Sequence, residues 1–212
     1  KVLVSTKRIA GLKEISIGND ELSIGAGVTH ATLRRSDLVS DWAPALIEAC
    51  KAIATPTLQS MATIGGNILL DTRCVFYNQT RFWRESIDGC LKCDGSVCHV
   101  VQNKKECFAA HSADTVPVLM VMGAKVVIAG PQGERTVAIE SLYGKDGRDS
   151  GMLEPSDLLV RVIIPKTNGE FGYRKLRMRG AIDYPLVVTA VQVSPSGGRV
   201  VISGVGPSPI EI

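Results

Sequence analysis

The stretch Pro56-Thr57-Leu58-Gln59-Ser60-Met61-Ala62-Thr63-Ile64-Gly65-Gly66-Asn67 decides how the rest of the chain is read. Two adjacent glycines allow a backbone to turn sharply or to approach another group closely. The hydroxyl of Thr63 and the amide of Asn67, on either side, can hydrogen-bond anionic oxygens. Alone, this hexapeptide core equally describes an ordinary turn between two buried elements. Its neighbours give it more content.

Upstream, Ile15–Ile17 and Leu22–Ile24 read as short strands around the hairpin turn Gly18-Asn19-Asp20. Thr29 reads as the N-cap of a short helix. Trp42, Ala45, Leu46, Ala49, Cys50 and Ile53 recur at helical spacing, which predicts an amphipathic helix capped by Asp41 and ending before Pro56. Cys50 lies on its apolar stripe and reads as a small core residue. Downstream, Asp114 reads as the cap of a helix through Met122. Lys125–Ala129 and Arg135–Ile139 read as strands around Gly130-Pro131-Gln132-Gly133. From Leu158 strand follows strand: Leu158–Ile164, Phe171–Arg179, Leu186–Val193 and Arg199–Val205, the last two joined at Ser196-Gly197-Gly198.

This composition shift predicts a boundary near Gly144 to Glu154, with one unit over 1–150 and a β-rich unit over 151–212. Strand–helix alternation is too sparse for a doubly wound sheet, so the fold class is α+β. The 212 residues suffice for one or two domains with a sizeable core. A net charge of +3, with no run of five like charges, argues against nucleic acid or an acidic membrane as partner. No run of 18 apolar residues is present to span a bilayer, and Lys1 to Ser5 lack the layout of a signal peptide, so a cytoplasmic location is expected. The missing initiator Met, and an end at Ile212 inside a strand-like run, read as a fragment at both ends.

Five of the six cysteines, Cys74, Cys90, Cys93, Cys98 and Cys107, fall in the polar, aperiodic segment Asp71 to Cys107. Such a segment cannot build its own core, and disulfides, structural zinc or an iron–sulfur cluster can each staple one. The odd count and the absence of a secretion signal argue against disulfides. Only Cys90-x2-Cys93 has the tight spacing usual at zinc sites. Spacing alone leaves zinc and iron–sulfur level. His30, His99 and His111 read as ordinary hydrogen-bonding histidines, and no general base or nucleophile stands out.

Pro56 to Asn67, followed by Ser112-Ala113-Asp114-Thr115-Val116-Pro117-Val118-Leu119 and Tyr173-Arg174-Lys175-Leu176-Arg177-Met178-Arg179, resemble in order and spacing the FAD-binding medium subunits of the molybdenum hydroxylases. Xanthine dehydrogenase and carbon monoxide dehydrogenase belong to that family. Roughly forty residues separate the first two motifs here, beginning Asp71-Thr72-Arg73-Cys74-Val75-Phe76-Tyr77-Asn78-Gln79. That insert resembles the one in β subunits of the 4-hydroxybenzoyl-CoA reductase type.

The resemblance implies an FAD-binding domain of the molybdopterin dehydrogenase type with a cysteine-rich insert over 71–107, followed by a truncated β-rich flavoprotein domain. It implies FAD contacts from Thr63, Gly65, Gly66, Asn67, Asp114, Leu159 and Lys175. Within the insert it implies a 4Fe–4S cluster on Cys74, Cys90, Cys98 and Cys107, with Cys93 a free thiol. Read from the strand alone, the alternating Lys175, Arg177 and Arg179 form a solvated charged face. The family's Gly-rich pyrophosphate loop would precede residue 1, and Gly25-Ala26-Gly27 is not that loop.

Function then follows as electron relay. The implied partners are a molybdenum-cofactor large subunit and a 2Fe–2S small subunit, arranged as a dimer of heterotrimers, with a low-potential donor such as ferredoxin. Two other readings stand beside it: the flavoprotein subunit of an aldehyde-oxidising molybdenum hydroxylase, and a zinc-stapled docking module without flavin.

Overall fold

The computed structural model describes residues 4–149, 153–180, 182–195 and 197–212. Strands β1 (Ile15–Gly18) and β2 (Glu21–Gly25) form the expected hairpin. Asn19 and Asp20 take φ of 53° and 57°, the positive values that a two-residue turn needs to match strand twist. Helix α1 (His30–Leu33) starts at Thr29, whose Oγ1 accepts from the Thr32 amide.

The predicted long helix is two helices, α2 (Asp37–Trp42) and α3 (Pro44–Ala52). Ser36 caps α2, while Asp41 sits in its last turn and caps nothing. Pro44 explains the break: it has no amide to offer the preceding turn and suits the first position of a new helix. Ala45, Leu46, Ala49 and Cys50 are buried along α3, so the predicted stripe is the one used. Short helices α4 (Pro56–Gln59) and α5 (Ile64–Ile68) follow, then α6 (Arg81–Ser86) inside the insert and α7 (Val116–Val121) after it.

Strands β3 (Lys125–Gly130), β4 (Gly133–Ala138) and β5 (Leu158–Pro165) complete a five-stranded antiparallel sheet in the order β1-β2-β5-β3-β4. The sequence assigned Leu158–Ile164 to the second unit, but β5 is the central strand of the first sheet, paired with both β2 and β3. The predicted boundary near Gly144 to Glu154, of which 150–152 lie outside the described residues, precedes that strand. The change of sheet falls between Pro165 and Glu170. A bulge leaves Val160 without a partner on β3, because Val127 faces Arg161 while Ile128 faces Leu159, though the Val160 carbonyl accepts from the Ala26 amide at 2.8 Å. It switches the buried parity of β5, and Leu159, Val162 and Ile164 all reach the core.

Strands β6 (Glu170–Leu176), β7 (Val187–Ser194), β8 (Gly197–Ser203) and β9 (Ile210–Glu211) form a second antiparallel sheet in chain order. Ser196, expected in the β7–β8 turn, lies outside the described residues. Helix α7 packs on β7 and β8, α3 packs on β6, and one continuous core runs from Leu22 and Ile24 through Leu46 and Leu119 to Val188 and Val201.

His111 ties the two halves. Its Nδ1 lies 2.8 Å from Ser203 Oγ on β8, and its ring meets the edge of Tyr143 at 4.7 Å. Burial lowers the pKa of both His111 and His30 to about 4. Between pH 4 and 6.5 the unfolded chain therefore binds more protons than the native one, and stability rises with pH. Urea unfolding should show that slope, and His111→Gln should reduce it, leaving the share of His30. A slope unchanged in the variant would contradict this origin.

Candidate functional site

The Gly-Gly-Asn turn opens helix α5. Thr63 is its N-cap, with Oγ1 accepting from the Gly66 amide at 3.1 Å. The turn is seated by strand-like bonds to the chain leaving β2: His30 N to Ala62 O, Ile64 N to Val28 O and Gly65 N to Ala26 O. A Cβ on Gly65 would stand 2.7 Å from the Ala26 Cβ and 2.8 Å from its carbonyl oxygen, so this glycine is required by packing. A Cβ on Gly66 would meet only Thr63 Oγ1, at 3.3 Å.

Asn67 links the turn to the segment beyond the insert. Its Oδ1 accepts from the Thr115 amide at 3.1 Å and from the Thr115 hydroxyl at 2.6 Å. Asp114, expected to cap α7, does not: α7 has no side-chain cap, and the carboxylate turns toward β6. There it accepts from the Tyr173 hydroxyl at 3.1 Å and pairs with Lys175 Nζ at 3.0 Å, both side chains of the pair nearly inaccessible. Burial pushes the Asp114 carboxyl above the usual carboxylate range, and Lys175 pulls it back. Burial, then the Asp114 charge, raises the Tyr173 phenol.

Lys175 is thus not part of a solvated face. Phe171, Tyr173 and Lys175 share the inward side of β6, and the ammonium also reaches Ala52 O at 3.2 Å. The Arg177 guanidinium approaches the same carbonyl at 3.4 Å, while Arg179 is exposed. Two residues singled out separately in the sequence are one buried ion pair joining α7 to the second sheet.

A cleft of about 380 Å³ has Thr63, Gly66, Asn67 and Asp114 in its wall, while Lys175 lies behind Asp114 and does not line it. A smaller groove of about 220 Å³ on the other side of the turn is lined by Thr63, Gly65, Gly66 and Leu159. Thr63 and Gly66 border both. Sequence reasoning missed His30, Ile182 and Tyr184 in the cleft wall, and gave Ser112 no role. Ser112 Oγ and His30 Nε2 are buried there without a hydrogen-bond partner among the described residues. Buried polar atoms are rarely left so, and these two are donors or acceptors available to a bound molecule. Apolar walls with a few convergent polar groups suit a planar heteroaromatic ligand such as a flavin.

The insert holds a second constellation. Cys74, Cys90, Cys98 and Cys107 line one small chamber together with Lys92 and His99. Cys93 faces a separate open hollow, among Arg81, Arg84 and Asp88. All six thiols are free. Burial raises the Cys98 thiol pKa, but amides of Val101, Phe108 and Val100 outweigh it and leave the net shift downward. The Ala109 amide points at Cys107 Sγ at 3.5 Å. Lys92 anchors the chamber to the first sheet's loops, donating to Asp71 Oδ1 and Gly147 O at 2.7 Å each. Among the described residues no group of three or more His, Cys, Asp or Glu side chains is set to hold a metal ion, and no helix is long and apolar enough to cross a membrane.

The chain is 32% identical over 214 aligned positions to the aldehyde oxidoreductase FAD-binding subunit PaoB of Escherichia coli K12, covering 95% of this chain and 67% of that one. It is 28% identical to the carbon monoxide dehydrogenase medium chain of Afipia carboxidovorans, covering 96% of this chain and 57% of that one. Among solved structures, quinoline 2-oxidoreductase from Pseudomonas putida 86 superposes with a TM-score of 0.71 at 20% identity, over 97% of this chain and 60% of that one, a likeness of fold. The model of the FAD-binding domain in molybdopterin dehydrogenase matches residues 1–167, through the end of β5. With that match over most of its length, the chain belongs to the family of FAD-binding domains of the molybdopterin dehydrogenases.

Proposed function

We propose that this chain carries FAD and a 4Fe–4S cluster as the electron-transfer subunit of a molybdenum-containing oxidoreductase, whose substrate chemistry occurs on another subunit. The observation that carries the flavin half is the cleft: Thr63, Gly66 and Asn67 of one turn meet Asp114 from beyond the insert at one wall, with Ser112 Oγ and His30 Nε2, which lack a hydrogen-bond partner among the described residues. Leu159 and Gly65 extend the same surface around the turn, and Lys175 acts through Asp114, fixing the carboxylate that the cleft presents. FAD exchanges electrons singly or in pairs, whereas an iron–sulfur cluster exchanges one at a time.

The cluster half rests on the four thiols around one chamber. Thiolates on a single zinc ion converge at about 2.3 Å from one point, whereas a four-iron cluster takes one thiolate on each of four separated irons. Four cysteines lining one chamber match the number of thiolates such a cluster takes. The amides aimed at Cys98 would stabilise thiolate charge there, whereas at Cys107 burial raises the thiol and the Ala109 amide offsets only part of that rise. Serine at Cys74, Cys90, Cys98 or Cys107 should each deplete iron in the anaerobically purified full-length protein and bleach the brown absorbance, while Cys93→Ser retains both. Full iron in any of the four variants, or its loss in Cys93→Ser, contradicts the ligand set.

Two substrate classes divide the evident partners. The insert favours a 4-hydroxybenzoyl-CoA reductase type of complex, with electrons entering from a low-potential donor such as ferredoxin. The 32% identity to an aldehyde oxidoreductase subunit favours an aldehyde-oxidising one. Assay of the purified complex with an aromatic aldehyde and with an aromatic CoA thioester separates them. In either case the large molybdenum and small 2Fe–2S subunits are the partners, assembled as a dimer of heterotrimers.

A further inference from the structure

Arg73 stands directly before Cys74, and its backbone is fixed by reciprocal bonds with Ala110, 2.8 Å from its own amide and 2.7 Å to its carbonyl. Its guanidinium carbon lies 3.9 Å from the centroid of the Tyr184 ring. Tyr184 lines the cleft from the loop between β6 and β7, together with Ile182 and Asp183, whereas Arg73 is not in the cleft wall. Ile182 has a φ of 50°, a strained value for a β-branched residue that persists only where its surroundings impose it.

Within the loop, the Arg179 amide donates to Asp183 Oδ2 at 3.1 Å and the Arg179 guanidinium to Ile182 O at 2.9 Å. Those bonds shape the loop, but they do not tie it to the cleft. The Arg73 stack does reach outside it, from the first residues of the insert.

We propose that Arg73 is a positioning residue for the cleft: from the insert it holds Tyr184, and with it residues 182–184, at the cleft mouth. This rests on the reading that FAD occupies the cleft. Cation–π contact with a tyrosine face needs a cation and an aromatic ring, so Lys keeps part of it and Gln none.

The test is the FAD dissociation rate of the full-length holoprotein, read as flavin fluorescence released, with iron content measured alongside. Arg73→Gln should speed dissociation about two- to fivefold at unchanged iron, Arg73→Lys should recover much of the loss, and the Arg73→Gln/Tyr184→Leu double variant should be no faster than Tyr184→Leu alone. A wild-type rate in Arg73→Gln, additive effects in the double variant, or iron lost with the flavin each overturn the proposal. A wild-type rate in Tyr184→Leu overturns it together with the placing of FAD in this cleft. Should Arg73→Gln fail to fold, Tyr184→Phe, which keeps the ring, must hold FAD better than Tyr184→Leu, and equal rates overturn it.

Discussion

Asp114→Ala is expected to destabilise the protein by about 3–5 kcal/mol, because it strands the Lys175 ammonium in a site where only 4% of that side chain is accessible. Ala52 O remains as an acceptor, but a carbonyl dipole does not replace a full charge. The Tyr173 hydroxyl also loses its acceptor. The cost should lie mainly in the unpaired charge, so Asp114→Ala/Lys175→Met should recover most of the stability lost in the single variant. Urea unfolding at neutral pH measures both. A loss below about 1 kcal/mol in Asp114→Ala, in the range of exposed pairs, would show that water reaches the pair.

Gly66→Val is expected to leave the fold in place and reduce FAD affinity at least about tenfold. The two glycines separate packing from binding. Gly66 borders both the cleft and the adjoining groove, and an added Cβ touches only the Thr63 hydroxyl oxygen, which can give way. Its neighbour cannot be changed in this way, since a Cβ on Gly65 collides with the Ala26 backbone, and Gly65→Ala should cost about 1–3 kcal/mol of stability. Equilibrium FAD binding and thermal unfolding of the two variants distinguish the roles. Stoichiometric FAD in a folded Gly66→Val protein would make the turn merely structural.

What the sequence disclosed, and what it hid, divides by range. Hairpins were legible because alternation and turn residues are local: Gly18-Asn19-Asp20 and Gly130-Pro131-Gln132-Gly133 both sit between paired strands. The break between α2 and α3 was written in Pro44, but the apolar stripe continues across it and masks it. Helix α6 buries no side chain and so leaves no periodicity to read. The place of β5 was hidden for a different reason. Nothing local to Leu158–Pro165 says that its partners are β2 and β3, some thirty to one hundred and forty residues earlier.

The site follows the same rule. Asp114 before an apolar run has the pattern of a cap, and only the fold brings up Lys175, 61 residues away, to claim its carboxylate. Alternation on β6 gave the face that Lys175 shares but not which face is inward. Cys90 and Cys93 form a tight pair in sequence, yet reciprocal backbone bonds between them turn their side chains to different spaces. Ser112 opened a motif but carried no assigned role, and His30 had no distinguishing pattern. They matter because burial leaves one polar atom on each without a partner among the described residues.

Hydrogen exchange of the full-length protein, with and without FAD, tests the central claim most directly. Occupation of the cleft should slow exchange at the amides of 62–67, 112–115 and 182–184 together, since these three separate segments form one wall. Protection by FAD elsewhere, with these amides unchanged, would contradict the account.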